Sequence, residues 1–477
     1  MRPLTDRSQW ALHVAPNFED LIVNQKRKFL AVMSLAALAL FESTVVTSAA
    51  ELTVAGAESE GSKDGAIPAY ESTNSLASGW TPAQKRIAAW KYKGEKPLFV
   101  ISAANVAQYA DKLTPGQLAF IKQNTSYTMP VYPSHRDCQL PDFVQNNTKA
   151  NAGKASIGSD GWTLENAVMP AIPFPKPKTG IEAVWNFLTR YQGAGVDYEG
   201  ETVVGANPGQ SNRIIVKWTQ TYSFPWGSKA ASEVMKPNSL LMGVYYAYSQ
   251  PAALAGQAVI QRNYVKEDSE SYYYFTGQRR VRRLPSYAYD APLIGYENQA
   301  LEDQAFLFYG LPDRFDWKLL GKKEVYVPYN SFGMVDPGTS VDEGAQATFL
   351  NPNNRRYELH RVWVVEGTVK AGVRHTMPKK TLYLDEDSWV AVAGEDYDSQ
   401  GKIWKAKEAY PTPIAELGGA CVAEAYVMYD VNSGRYLADG LVFDAAKPPK
   451  FYESNEGNIR LKDDFFTMQS LQQQSQR

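Results

Sequence analysis

From Arg213 the chain alternates with period two. Ile214, Val216, Trp218, Tyr222 and Phe224 fall on one side, Lys217, Thr219, Thr221 and Ser223 on the other. This predicts a strand with one buried and one polar face. Leu241 to Tyr248 is apolar on both faces, which predicts a central or covered strand. Ala258 to Tyr264 and Tyr272 to Leu284 continue the series, and Lys322 to Val327 adds a strand in a less regular stretch from 285 to 356. Tyr357 to Val365, Thr381 to Leu384, Trp389 to Ala393, Lys402 to Ala406, Val422 to Tyr429 and Arg435 to Val442 follow. Asp385-Glu386-Asp387-Ser388, Asp398-Ser399-Gln400-Gly401 and Asn432-Ser433-Gly434 separate them, a spacing that predicts antiparallel hairpins. About ten strands result, and an antiparallel sheet of that size tends to twist and curl. The fold class is therefore mainly β (α+β), built on one large curved antiparallel sheet. Its concave apolar face must be covered by a helix, a strap or a ligand.

Helical signals are fewer. Thr179 precedes Ile181, Val184, Trp185, Leu188 and Tyr191 at helical spacing, and Gly193 ends the run. Thr114-Pro115-Gly116-Gln117 has the spacing of a capping box, after a helical pattern at 104–113. Thr81-Pro82 opens a further short helix. Residues 51 to 80 read as an extended arm. The run Pro170-Ala171-Ile172-Pro173-Phe174-Pro175-Lys176-Pro177 fits neither helix interior nor central strand, and reads as a strap over a surface and a candidate lid. The Gln- and Ser-rich tail 465–477 reads as frayed.

Residues 26 to 51 carry an address. Lys26-Arg27-Lys28 leads into an apolar run from Phe29 to Phe41, and Ser48-Ala49-Ala50 precedes Glu51. This is the three-part layout of a secretory signal peptide, and the apolar run is shorter than the ~20 residues of a membrane-spanning helix. Residues 1–22 do not fit that layout, and Val23 is a candidate start. The expected organisation is a leader at 1–50 (signal peptide about 23–50, cleaved after Ala50), an extended and helical region at 51–180 with the Pro-rich strap, a curved-sheet domain at 181–464 and the tail.

Composition narrows the chemistry. Lys and Arg number 49 against 51 Asp and Glu, a net charge of −2, and no basic tract suggests nucleic acid. No HExxH, CxxC, GxSxG or P-loop occurs, so no zinc site, serine nucleophile, cofactor or enzyme activity is expected. Asp385-Glu386-Asp387 reads as a solvated turn, His360 as a buried, hydrogen-bonded histidine. Export places Cys138 and Cys421, the two cysteines of the chain, in an oxidising compartment, where a disulfide is expected; two separate buried thiols are the alternative. Arg279, Arg280, Arg282 and Arg283 crowd one strand. Alternation puts Arg280 and Arg282 on one face and Arg279 and Arg283 on the other, so one pair is expected to turn inward. There it would need carboxylates, or would hold an anionic headgroup at the mouth of an apolar cavity.

These arginines lie in Phe275-Thr276-Gly277-Gln278-Arg279-Arg280-Val281-Arg282-Arg283-Leu284-Pro285, which resembles a signature of the DUF1329 family. Gly310-Leu311-Pro312-Asp313-Arg314-Phe315-Asp316-Trp317, Tyr357 to Glu366, Tyr383 to Trp389 and Tyr397 to Trp404 extend the resemblance over nearly the whole exported part. It implies a fold similar to the LolA and LolB carriers: a half-open β-barrel that wraps helices and encloses an apolar cavity. It also implies a neighbouring RND-type transporter, and no established enzymatic activity.

The expectation is then a periplasmic, non-membrane-spanning carrier or chaperone for a hydrophobic or lipid-like molecule. It would work with an RND-type inner-membrane transporter or an outer-membrane acceptor. Trp218, Tyr222, Phe224, Tyr246, Tyr248 and Trp363 are the candidate ligand-binding residues, with Arg280 or Arg282 orienting a polar head. The alternatives are a non-transporting envelope scaffold with a filled interior, and an enzyme on hydrophobic substrates that depends on His360.

Overall fold

A computed structural model describes residues 51–71, 81, 84, 86–285 and 289–476. The leader lies outside them, as do Pro82, Ala83 and Lys85 of the Thr81-Pro82 helix, of which Arg86–Ala89 is described as a short 3-10 helix. Residues 51–477 form one compact unit. Among the described residues, no helix is long and apolar enough to cross a membrane.

The alternating segments form strands of one 16-stranded sheet. In chain order they are β1 (Phe99–Ser102), β2 (Thr128–Val131), β3 (Gly195–Val204), β4 (Ile214–Ser223), β5 (Leu240–Gln250), β6 (Ala258–Tyr264), β7 (Glu270–Phe275) and β8 (Arg280–Arg283). Then come β9 (Phe315–Pro328), β10 (Tyr357–Val369), β11 (Lys379–Asp385), β12 (Ala391–Tyr397), β13 (Ile403–Ile414), β14 (Ala420–Asp430), β15 (Tyr436–Leu441) and β16 (Lys450–Tyr452). The strand order is β1-β2-β10-β11-β12-β13-β14-β15-β3-β4-β5-β6-β7-β8, with β9 paired to β10 and β16 to β3. All pairings are antiparallel except the bridge of β2 to β10, Val131 opposite Tyr357. The path has two free ends and does not close into a barrel. Region 51–180 supplies β1 and β2, so it shares the sheet with the strands that follow it.

Two helices have clear local causes, and a third braces the chain between them. In α1 (Pro115–Gln123) the predicted capping box is present: Thr114 Oγ1 accepts from Gln117 N at 3.1 Å and Gln117 Oε1 from Thr114 N at 3.0 Å. The Gln117 amide then donates to Tyr326 O and Glu408 Oε1, which seats α1 on the sheet. Thr179 and Glu182 cap α3 (Gly180–Leu188) in the same way. Gly180 lies so close to β9 that an added Cβ would sit 2.5 Å from the Trp317 carbonyl carbon. Between them, α2 (Asp142–Ala150) braces the proline run: Asn147 Nδ2 donates to Pro170 O, and Ile172 N to Thr148 Oγ1. Ala171 and Ile172 are fully buried and Asn186 of α3 bonds both the N–H and C=O of Phe174, so this run is a wedge between helices.

The tail departs from the frayed expectation. Residues Met468–Ser475 form α4, with Thr467 accepting from Ser470 N as its cap. Phe466 and Leu471 are fully buried in a small cluster with Ala258, Ile260 and Tyr274. Two apolar anchors outweigh the poor composition of the rest.

The cysteines are joined. Cys138 and Cys421 form a disulfide with a sequence separation of 283, and Gln139 N donates to Gly419 O beside it.

Candidate functional site

Strand register gathers most of the predicted aromatic set on one face. Trp218 of β4 stands opposite Tyr248 of β5, Gln220 opposite Tyr246, and Tyr222 opposite Val244. Tyr246 in turn faces Val259 of β6. The rings form a continuous layer: Trp218 to Tyr246 at 5.3 Å, Tyr246 to Tyr248 at 4.8 Å, and Tyr222 to Phe224 at 6.1 Å between centroids. Tyr426 of β14 extends the layer, and its hydroxyl donates to Asp439 Oδ2 at 2.8 Å.

What covers this face is the chain itself. The segment Leu293–Leu311, inside the irregular stretch, crosses it. Asp303 is fixed in the sheet by Lys380 Nζ at 2.5 Å and His375 Nε2 at 2.9 Å, and Gln304 donates to Asp396 Oδ2 at 2.7 Å. Lys407 balances Asp396 at 2.8 Å. Burial pushes the Asp303 carboxyl up, but the Lys380 ammonium and the His375 bond pull harder, holding it at about 2. Beyond this anchor the backbone turns left-handed at Phe306 (φ 50°) and Leu307 (φ 74°). The Phe306 ring lies 5.5 Å from both Tyr222 and Tyr426.

Among the described residues, small apolar cavities remain in this layer. One of about 80 Å³ lies among Tyr222, Tyr246, Tyr248 and Phe306. One of about 40 Å³ lies between Phe187, Phe224, Met242 and Phe306, and one of about 20 Å³ between Tyr198, Tyr222, Phe306 and Phe451. A polar vestibule of about 540 Å³ adjoins them, bordered by Asp268, Arg283, Asp290 and Arg314. Glu302 borders both the 80 Å³ cavity and the vestibule. Its Oε1 accepts from Gln261 Nε2 at 2.6 Å, while its Oε2 is buried without a hydrogen-bond partner. Burial, with Asp303 adjacent, pushes this carboxyl up to about 7.

Of the predicted residues, Tyr222, Phe224, Tyr246 and Tyr248 line these cavities, and Trp218 backs them, its indole N–H donating to Thr202 Oγ1. Trp363 is elsewhere, on β10, stacked 6.2 Å from Trp389 with Lys322 above it. The arginines differ from the inward-facing expectation. Arg279 ends a turn at φ 50°, and Arg279, Arg280, Arg282 and Arg283 are all exposed. β8 is the last strand of the sheet, where Val281 packs on the small cluster under the tail helix while the longer arginine side chains reach solvent. Charges on such an edge also discourage pairing with another sheet.

The Asp385–Asp387 turn corrects the solvated expectation. Asp385, Glu386 and Asp387 are buried. Arg136 holds both Asp387 oxygens, at 2.6 and 2.9 Å. Arg361 and Lys322 hold Glu386, both at 2.6 Å, and Arg361 also donates to the arm at Glu58 O and Glu60 O. The turn thus ties the N-terminal arm to the sheet. Asp385, raised by burial and then by Asp387, lies 3.8 Å from His360 Nδ1. His360, Asp385 and Asp387 bring one ligand atom each within 4.8 Å of one another. The guanidinium on Asp387 already fills the role of counter-cation there. His360 stacks on Tyr329 at 3.7 Å and pairs with Glu358 at 3.3 Å.

Glu302, Phe306, Tyr309 and Tyr426 were not singled out from the sequence. The signal for Phe306 was present: Ala305-Phe306-Leu307-Phe308-Tyr309 is an apolar run without strand or helix spacing, in a stretch otherwise rich in turn residues.

Fold and site together define an α+β protein with a large, mostly antiparallel sheet and an aromatic face covered by its own chain. The chain belongs to the DUF1329 family, described as a protein of unknown function, whose model matches residues 100–472. It is 38% identical to "Uncharacterized protein PA3922" of Pseudomonas aeruginosa over 417 residues, 86% of this chain and 90% of that one. Among solved structures it is similar to a DUF1329 family protein from Desulfovibrio piger, with 11% identity, a TM-score of 0.41, and coverage of 61% of this chain and 97% of that one. It is also similar to the LolA superfamily protein NE2245 from Nitrosomonas europaea, with 14% identity, a TM-score of 0.36, and coverage of 61% and 98%.

Proposed function

We propose that this chain is an exported, periplasmic carrier or chaperone that holds a hydrophobic, lipid-like molecule on the aromatic face of its large antiparallel sheet. It would exchange cargo with an RND-type inner-membrane transporter or an outer-membrane acceptor. The observation that carries the reading is the aromatic layer of Tyr222, Phe224, Tyr246 and Tyr248, with its cavities next to a polar vestibule. Burying apolar cargo against these rings supplies about 25 cal/mol per Å². Trp218 extends the layer beside Tyr246. Trp363 is assigned no direct contact with cargo in the aromatic layer. Arg280 and Arg282, on the exposed edge strand, would meet anionic headgroups at the membrane surface during transfer. The Cys138–Cys421 disulfide fits an oxidising compartment.

The tight packing favours a second reading. The apolar cavities measure about 80, 40 and 20 Å³, too small for an acyl chain as they stand. A non-transporting envelope scaffold has such a filled interior. Titration with a fluorescent lipid separates the two. Saturable binding that falls when Tyr246→Ala and Tyr248→Ala are combined supports the carrier; no binding by the wild type supports the scaffold.

A further inference from the structure

Phe306 is the common wall of all three apolar cavities. Its ring stands between Tyr222 and Tyr426, where a flat or chain-like apolar guest would stack. Its backbone and that of Leu307 are both left-handed, a conformation that side-chain-bearing residues hold only against a cost. The segment is therefore pinned at Asp303 and Gln304 and strained where it enters the aromatic layer. A second, independent observation lies one step away. Glu302 is 6% exposed, its Oε2 has no partner, and it sits on the boundary between the aromatic cavity and the vestibule. Native interiors leave few such oxygens unpaired, and one at a cavity boundary points to an absent partner.

We propose that Phe306 occupies the cargo position, and that the cargo is an amphiphile with one hydrocarbon chain and a hydrogen-bonding neck. The chain displaces the Phe306 ring and joins the three cavities into one groove. The neck meets Glu302 Oε2 and the head lies in the vestibule. That vestibule carries both signs, with Arg283 and Arg314 against Asp268 and Asp290, which suits a zwitterionic head. An apolar space of about 150 Å³ already holds a benzene-sized guest; none of the three reaches that alone, so displacement of the ring is required. This inference rests on the carrier reading and adds the site and the class of ligand.

The test is isothermal titration of the mature protein with a monoacyl glycerophosphoethanolamine bearing a lauroyl chain, below its micellar concentration. The wild type is expected to bind one molecule. Phe306→Ala is expected to bind at least tenfold more tightly, because no ring must move, and Phe306→Trp at least tenfold more weakly. Glu302→Leu is expected to lose at least fivefold. Phe306→Leu keeps an apolar side chain should the alanine variant fail to fold, and is expected to bind between the wild type and that tighter limit. Wild-type binding with all Phe306 variants unchanged overturns the inference and leaves the carrier reading standing. Binding by Phe306→Ala alone shows a cavity made by truncation and also overturns it. No binding by any form defeats the carrier reading, and the inference with it.

Discussion

Glu302 and Asp303 are neighbours in sequence with opposite electrostatics. Asp303 faces the Lys380 ammonium and is held at about 2, so its contribution to stability is present above its ordinary pKa of 3.8 and is lost as pH falls through 2. Glu302 has the Gln261 amide as partner and, among the described residues, no paired cation, and burial raises it from 4.5 to about 7. The folded state then binds a proton that the unfolded state releases, so stability falls as pH rises from 4.5 through 7. A shift of that size is worth on the order of 3 kcal/mol. Glu302→Gln is expected to match the wild type in urea denaturation at pH 5 and exceed it at pH 8; an equal difference at both pH values would contradict this. Asp303→Ala leaves the buried Lys380 ammonium without its carboxylate, against the Phe308 and Phe315 rings, and is expected to destabilise by about 3–5 kcal/mol in the same assay. Neither role was legible in the sequence. Lys380 and His375 reach Asp303 from 77 and 72 positions away, and one sequence does not reveal such partners. The aromatic layer was legible, because Trp218, Tyr222 and Phe224 share a parity that a strand turns into a common face.

Elements succeeded or failed as predictions according to how local their causes are. The α1 capping box is written in four residues and forms as read, and α3 starts at Thr179 as read but stops at Leu188, before the Tyr191 of its apolar stripe. Removing a cap, as in Thr179→Ala, is expected to cost about 1 kcal/mol. Gly180→Val keeps that cap but clashes with the Trp317 backbone, and is expected to cost about 1–3 kcal/mol, measured by thermal melting. A Gly180→Val variant as stable as the wild type would show that α3 does not press on β9. Three elements turned on distant contacts instead. The Asp385–Asp387 turn looks solvated by composition, but Arg136, 250 residues earlier, reaches it and buries it. The arginine strand looks inward-turning by alternation, but its place at the end of the sheet leaves all four arginines exposed. Tail helix α4 depends on Phe466 and Leu471 finding the β6–β7 surface.

At the scale of the whole molecule, the disulfide spans most of the folded unit and joins the segment before α2 to β14. Closing so long a loop is worth about 5 kcal/mol on the chain-entropy model. Paired Cys138→Ser and Cys421→Ser substitutions are expected to lower the urea midpoint to that of the reduced wild type, and the variant should no longer respond to dithiothreitol. A variant as stable as the oxidised protein would remove the disulfide from the stability account. The sequence foresaw a face that something must cover and named three candidates. The cover is a fourth kind of object, an irregular segment whose Phe306 lies among the cavities like a guest. This could not be read from periodicity, because the segment has none. The aromatic face is proposed to hold a hydrophobic cargo. Native mass spectrometry of the protein expressed with its leader and purified without detergent, followed by solvent extraction and lipid analysis, puts this to the test. A fraction of molecules carrying one discrete apolar species, released by organic solvent, is expected. A mass equal to the bare, disulfide-bonded polypeptide, with no lipid in the extract, would contradict it.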